Sequence, residues 1–213
     1  DAVTVTGYAE TLRSMGRFDD ALAAYEGAKV QFANDRVVTN AMACLLIDLN
    51  RLDEAKVLLL DENVIKLADW WDKHVLAMLY LREENFAEAE VLLLDGVKNA
   101  PLPKSQKMFK SALNLLRLKQ NQASQVVENF ALAEVIEFPA DRIIYAHALA
   151  QTGEKEKAEQ VLDGLGVQSA EVINLADYIR RRHLAKQQHS PQQAQELDDK
   201  IFALEVSMVM RAA

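Results

Sequence analysis

The side chains that could do chemistry in this 213-residue chain are few and widely spaced. Histidine can act as a base or a metal ligand, and cysteine as a nucleophile or a thiolate ligand; the chain has His74, His147, His183, His189 and Cys44. The histidines lack metal-ligand spacing, and one cysteine forms neither an internal disulfide nor a thiolate cluster. No glycine-rich phosphate loop, Gly-x-Ser-x-Gly turn or His-Glu-x-x-His helix occurs. We therefore predict a non-enzymatic protein without metal or cofactor.

The charge of the chain limits its partners. Acidic residues outnumber basic ones by 32 to 24, and the net charge of −8 repels nucleic-acid phosphates and anionic membranes. Arg180, Arg181 and Arg182 form a basic run, but consecutive helical residues point in different directions, so exposed arginines or salt bridges to a neighbouring helix account for it. No apolar segment approaches the roughly 20 residues that span a bilayer. We expect a soluble protein, with the cytoplasm favoured and other compartments open, that binds no nucleic acid and does not insert into membranes.

An internal repeat predicts the elements that carry these residues. The segment MGRFDDALAAYEGA, which begins at Met15, is followed by the similar segments LNRLDEAKVLLLDE from Leu49 and EENFAEAEVLLLDG from Glu83. Small or apolar residues fall into columns with a period of about 34 residues, which indicates a structural repeat. One column is Ala21, Ala55, Ala89, Ala123 and, after a one-residue slip near Pro139, Ala158. Two more are Tyr25, Leu59, Leu93, Val127, Leu162, and Ala9, Ala43, Ala77, Ser111, Ala146.

Each repeat is predicted to contain two helices. In the second repeat, apolar residues between Met42 and Leu49 follow the i, i+3, i+4, i+7 spacing of one helical face. Gly16 and Gly153 fall at the break between the two helices, where a left-handed backbone is needed, and Asn50 tolerates one there. Acidic residues then begin the second helix, where the helix dipole favours negative charge.

These patterns resemble the tetratricopeptide repeat (TPR) family, whose unit is a helix-turn-helix of about 34 residues. The resemblance is carried in the first repeat by Ala9, Leu12, Gly16, Phe18, Ala21, Tyr25 and Ala28, and in the third by Ala77, Tyr80, Phe86, Ala89 and Pro101. It implies an all-α fold, a right-handed α-solenoid of helix-turn-helix repeats. We predict five repeats over residues 1–167, at about 2–35, 36–69, 70–103, 104–138 and 139–167.

Residues 168–213 break this pattern and are predicted to form two longer helices. The break between them falls at Ser190, a good N-cap, and Pro191, a good first helical residue. Their apolar stripes include Val172, Leu175, Ile179, Leu197, Ile201, Leu204 and Met208. Since a solenoid must cover the exposed face of its last repeat, we predict a C-terminal cap. The alternative is an interaction hairpin that joins copies of the chain or binds a partner.

The TPR resemblance also implies a binding site, because the first helices of such arrays line a concave groove. The corresponding positions, the groove set, are Val37, Asn40, Cys44, Ile47, Trp71, His74, Met78, Leu81, Met108, Leu115, Ile143 and His147. They lack the lysine, asparagine and arginine combination of the family's carboxylate clamp and are largely apolar. We expect Met78 and Leu81 to lie outside the buried columns and Trp71 to anchor a partner. Alternatively, these side chains pack on neighbouring helices or lie beneath the C-terminal pair.

These observations predict a non-enzymatic protein-interaction scaffold or chaperone-like adaptor. Its groove would hold an apolar or amphipathic segment of a partner protein, since exposed apolar surface of a few hundred Å² usually marks an interaction site. Two alternatives stay open at this point. One is a structural or oligomerisation module joined through the C-terminal helices, and the other is a regulatory TPR arm of a larger assembly.

Overall fold

The computed structural model describes residues 1–60, 69–132, 136, 138–165, 177–182 and 190–211. These residues form helices and the short segments between them and contain no strand, which confirms the predicted all-α class. The helices are α1 (Ala2–Ser14), α2 (Phe18–Gln31), α3 (Arg36–Asp48), α4 (Leu52–Leu59), α5 (Trp70–Arg82), α6 (Phe86–Asn99), α7 (Pro103–Lys119), α8 (Ala123–Ala131), α9 (Pro139–Thr152), α10 (Lys155–Asp163) and α11 (Pro191–Arg211). Residues 177–182 are also helical.

The chain divides into two compact units, which we describe separately. In the first unit, Asp1–Pro101, α1 packs on α2, α3 on α4, and α5 on α6, while α3 also contacts α1 and α5. In the second unit, Leu102–Ala213, α9 packs on α8 and α10, and α11 packs on both α7 and α9. In the first unit, successive helices are therefore neighbours in space, as in a repeat protein.

Among the described residues, a left-handed residue ends the first helix of five helix pairs, α1/α2, α3/α4, α5/α6, α7/α8 and α9/α10. The five residues are Gly16, Asn50, Glu84, Asn121 and Gly153. In each case the next residue donates its backbone N–H to the carbonyl oxygen five positions earlier, as in the bond from Arg17 to Leu12, so the helix end is closed in the same way five times. The predicted left-handed turns at Gly16, Asn50 and Gly153 are confirmed.

The fourth pair departs from the predicted register. The sequence interval from Glu84 to Asn121 is longer than the interval between the earlier left-handed residues. The reason is that α7 has 17 residues, whereas α3 and α5 have 13 each. Ala123 is consequently the first residue of α8, and the buried fourth and eighth positions of that helix are Val126 and Phe130. The assignment of Ser111, Ala123 and Val127 to the repeat columns is therefore wrong, because the register has shifted by nearly one helical turn.

Identical substitutions at two glycines should have opposite effects on stability. Gly16→Ala is expected to lower the free energy of unfolding by about 1 kcal/mol, because its φ of 73° disfavours a side chain. Gly27→Ala, inside α2, should raise it by about 0.5–1 kcal/mol, because alanine is the better helix former. Neither added methyl group meets an atom within 4 Å, so backbone conformation alone sets the sign. Urea titrations compare the two variants, and equal effects would contradict the assigned turn.

Candidate functional site

The groove set is mostly buried. Ten of its twelve members have little or no exposed surface: Asn40, Cys44, Ile47, His74, Met78, Leu81, Met108, Leu115, Ile143 and His147. Val37 is 48% exposed, and Trp71 is partly buried. The expectation that Met78 and Leu81 lie outside the buried columns is wrong, since neither has exposed surface. The role of the set in partner binding stays a prediction.

In the first unit, a polar network joins α3 to α5 at their N-terminal ends. The buried carboxylate of Asp72 accepts hydrogen bonds from the side chains of Arg36 and Asn40 and, at 2.9 Å, from the backbone N–H of Asp69. Asp69 in turn caps α5, since its Oδ1 accepts from the backbone N–H of Trp71 at 2.8 Å. Asn40, a predicted groove residue, is thus engaged by the neighbouring helix within its own unit.

A second set of polar bonds ties the C-terminal ends of α1, α3 and α5. Arg13 on α1 donates from Nε to Oδ2 of Asp48 on α3 at 2.9 Å, and from Nη1 to Glu10 at 3.0 Å. Burial alone would lower the pKa of the Arg13 guanidinium, but the carboxylate of Asp48 raises it overall. Arg82 on α5 donates to Oδ1 of Asn50 at 2.8 Å. In this unit the buried groove residues therefore occupy faces of helices that polar bonds hold together at both ends.

His74 lies in an aromatic cluster at the start of α5. Its ring is stacked on Trp71, with centroids 5.6 Å apart and planes inclined by 12°, and Trp71 meets Trp70 edge-on at 5.8 Å. His74 is fully buried, and burial lowers its pKa to about 4. The imidazole is consequently neutral at pH 7.

Accessible apolar side chains recur near the N-terminal ends of the first helices of this unit, two of them exposed and one partly buried. Val3, Val37 and Trp71 each precede the left-handed residue of their pair by the same number of positions, so they occupy equivalent places on α1, α3 and α5. Val3 is 70% exposed, and these three helices pack side by side. We call these three residues the entrance row. It contains both members of the groove set that solvent reaches.

The second unit contains a polar pocket of about 180 Å³ between α7, α9, residues 177–182 and α11. Its lining residues are Leu115, Leu118, Lys119, Asn121, His147, Gln151, Arg182, Gln195, Asp198, Phe202 and Glu205. Two of them, Leu115 and His147, belong to the groove set. At these two positions α11 therefore lies beside groove residues, as in the alternative in which the C-terminal pair covers them.

Charged and polar groups in this pocket satisfy one another. His147 Nδ1 lies 2.8 Å from Oε1 of the buried Glu205, and its Nε2 lies 3.0 Å from the amide nitrogen of Gln151. With that amide as donor, Nε2 accepts and Nδ1 carries the proton that is donated to Glu205. Arg182 donates to both carboxylate oxygens of Asp198. This pairing stabilises the position of α11 and leaves no activated nucleophile among these groups.

The buried and partly buried carboxylates of α11 were not predicted from the sequence. Asp198 and Glu205 lie two helical turns apart and so share a helical face with the buried Ile201, a pattern that marks carboxylates directed into a helix interface. Of the three arginines, Arg182 is buried, whereas Arg180 pairs with Glu159 at 2.7 Å, which confirms the predicted salt bridges to a neighbouring helix. The predicted start of α11 at Pro191 is also confirmed.

Some predicted features lie outside the described residues, including His183, His189, Val172 and Leu175. Comparison of the chain with protein-family models, with curated proteins and with solved structures finds no match. Among the described residues, no helix is both long enough and apolar enough to cross a bilayer, and no three His, Cys, Asp or Glu side chains converge as a metal site would require. The TPR assignment therefore stays a prediction that rests on the repeat itself.

Proposed function

We propose that the chain is a non-enzymatic interaction scaffold, a TPR-type α-solenoid that holds an apolar or amphipathic segment of a partner protein against the entrance row. The observation that carries the proposal is the recurrence of an accessible apolar side chain at one position of three adjacent helices, at Val3, Val37 and Trp71. The five equivalent turns support the solenoid part of the proposal.

The composition of the row suits a protein partner. Tryptophan combines a large apolar surface with few rotatable bonds and is enriched among the residues that dominate binding energy. The ring of Trp71 is braced by stacking on His74, so little conformational entropy is lost when a partner covers it. Two valines one and two repeats away extend the apolar surface in steps that a helix or an extended segment can follow.

A double substitution at the row tests the proposal. Val3→Asp with Val37→Asp should weaken partner binding at least tenfold, because both side chains lose apolar contact and gain a charge that the interface would have to desolvate. The fold should be preserved, since each aspartate lies in the first turn of its helix, where the dipole favours it. A photo-crosslinking residue at Val37 identifies the partner in lysate, and calorimetry with the purified partner measures affinity.

A matched variant controls for surface charge. Val57 and Val91 are 75% and 67% exposed on the second helices α4 and α6, where each occupies the sixth position of its helix. Val57→Asp with Val91→Asp should therefore bind as the unmodified chain does. Equal binding by both double variants would reject the entrance row as the site.

A further inference from the structure

A row of carboxylates runs beside the entrance row in the first unit. Asp1, Asp35 and Asp69 are the N-caps of α1, α3 and α5, and each precedes its entrance-row residue by two positions. We call these three residues the cap row. Each uses one side-chain oxygen, Oδ1, to accept from a backbone N–H of its own helix. Because α3 packs on both α1 and α5, the acidic row and the apolar row cross the same three helix ends.

The net charge of these helix ends is negative. A capping carboxylate carries a full negative charge, whereas the free N–H groups of a helix N-terminus amount to roughly half a positive charge. The charge of the unit has the same sign: residues 1–101 contain 18 acidic and 10 basic residues, whereas residues 102–213 contain 14 of each. The whole net charge of the chain is therefore carried by the unit that holds the entrance row, and its field attracts basic partners.

The cap row also shows how a cation is bound there. Oδ2 of Asp69, the oxygen not used in capping, lies 3.0 Å from Nη2 of Arg36 on α3. A carboxylate of this row thus pairs with a guanidinium while it keeps its helix capped. Arg36 is the first residue of α3, and the first residue of α1 is Ala2. Asp35 therefore lacks the cation that its equivalent Asp69 has, and it forms no ion pair with any described residue.

We infer that the partner segment at the entrance row is basic as well as apolar, an amphipathic stretch whose apolar side covers the row and whose lysines or arginines pair with the cap row. This inference rests on the function proposed above and specifies the chemistry of its partner. The Oδ2 oxygen of Asp35, which takes no part in capping, is where the first such cation is expected. An uncharged segment would desolvate these carboxylates without a counter-charge, and an acidic one would also be repelled by them.

A helical segment meets both rows with a simple spacing. Packed helices lie about 8–10 Å apart, and a helix rises about 1.5 Å per residue, so about two turns of the segment separate successive contacts. A basic residue at about every seventh position, beside an apolar one, therefore places one cation near each cap. A segment of about 14 residues, roughly 21 Å long as a helix, spans α1, α3 and α5.

Three model peptides of about 14 residues test the inference. All share one leucine face and differ only in their other residues, which are lysine, glutamine or glutamate. Fluorescence anisotropy of the labelled peptides with the intact chain, at low ionic strength, should give at least about tenfold tighter binding for the lysine peptide than for the other two. Val3→Ser with Val37→Ser, which changes no charge, should weaken that binding at least about fivefold, because the leucine face loses apolar contacts.

A charge-matched pair of variants separates local pairing from the general field. Asp35→Asn with Asp69→Asn removes two charges from the cap row and preserves capping, because asparagine is an equally good N-cap. It should weaken binding of the lysine peptide about fivefold. Asp19→Asn with Asp53→Asn removes two charges from the exposed first turns of α2 and α4 in the same unit, and it should change binding by less than about twofold.

Equal weakening by the two aspartate variants would overturn the inference, because the field of the unit alone would then account for the preference. Binding of the glutamine or glutamate peptide as tight as that of the lysine peptide, or no binding of any peptide, would overturn it too. The proposed function is judged separately. It fails if the peptides bind and the Val3 and Val37 serine variant binds them unchanged, and it stands if the glutamine peptide binds and this variant loses it. If no peptide binds, the photo-crosslink at Val37 decides the proposed function.

Discussion

The free energy of unfolding should fall between pH 6.5 and pH 4, and replacing His74 with phenylalanine is expected to make this fall about 3 kcal/mol smaller. The pKa of His74 is lowered to about 4 in the folded chain by complete burial, from an ordinary value of 6.5. Between pH 6.5 and pH 4, His74 is therefore protonated in the unfolded chain but stays mostly neutral in the folded chain. Stability falls as the pH falls, and the penalty is complete below pH 4.

The measurement is the free energy of unfolding by urea at pH 7, pH 5.5 and pH 4 for both proteins. Phenylalanine keeps an aromatic ring against Trp71, so any constant difference from repacking appears already at pH 7 and is subtracted. The remaining difference should grow steadily toward pH 4. Parallel pH profiles would show that His74 becomes protonated in the folded state without cost, and hence that its surroundings admit water.

The turns between helices could be predicted from the sequence because their cause is local. Gly16 and Gly153 tolerate a left-handed backbone by their own chemistry, and asparagine does so more than other residues, so Asn50 was found too. Glu84 takes the same conformation without any such preference. There the closing hydrogen bond from Asn85 to Tyr80 and the packing of α5 on α6 override the local cost, which no single residue type reveals.

The fourth repeat was misaligned for a different physical reason. A helix can gain about one turn, roughly 3.6 residues, and still present the same face to its neighbours. The apolar pattern of α7 runs on through this extra turn from Phe109 to Leu118, so periodicity marks no insertion. Ala123 matched the column by residue type, although Val126 occupies the structural position. Only the placement of the next left-handed turn, at Asn121, reveals the added turn.

Burial of the groove set could not be predicted, because spacing identifies a helix face and not what covers it. The bonds from Arg13 to Asp48 and from Asn40 to Asp72 join residues 35 and 32 positions apart, close to one repeat. A donor side chain and a carboxylate at about this spacing were therefore the available signal. His147 and Glu205 are 58 positions apart and follow no period. The docking of α11 therefore depends on tertiary packing alone.

Met78→Glu and Leu81→Glu should each unfold the first unit or come close to it. Both side chains have no exposed surface, so a carboxylate there is either ionised without a cation or protonated at the cost of a raised pKa. The loss should be at least about 4 kcal/mol, a large part of the roughly 5–15 kcal/mol that typically holds a domain together. Such a loss would agree with the burial of both side chains and not with the expectation that they lie outside the buried columns.

Circular dichroism and the urea midpoint measure the helix content and stability of these variants. Val91→Glu, in the same unit, is the control. Val91 is 67% exposed on α6, so the same carboxylate stays hydrated there and should shift stability by less than about 0.5 kcal/mol. If Met78→Glu is as stable as this control, solvent reaches the α5 face and the groove set regains its predicted role as an open site. If Met78→Glu unfolds, any loss of partner binding by this variant reflects loss of structure. Binding must then be tested at Val3 and Val37, where a charge can be added without burying it.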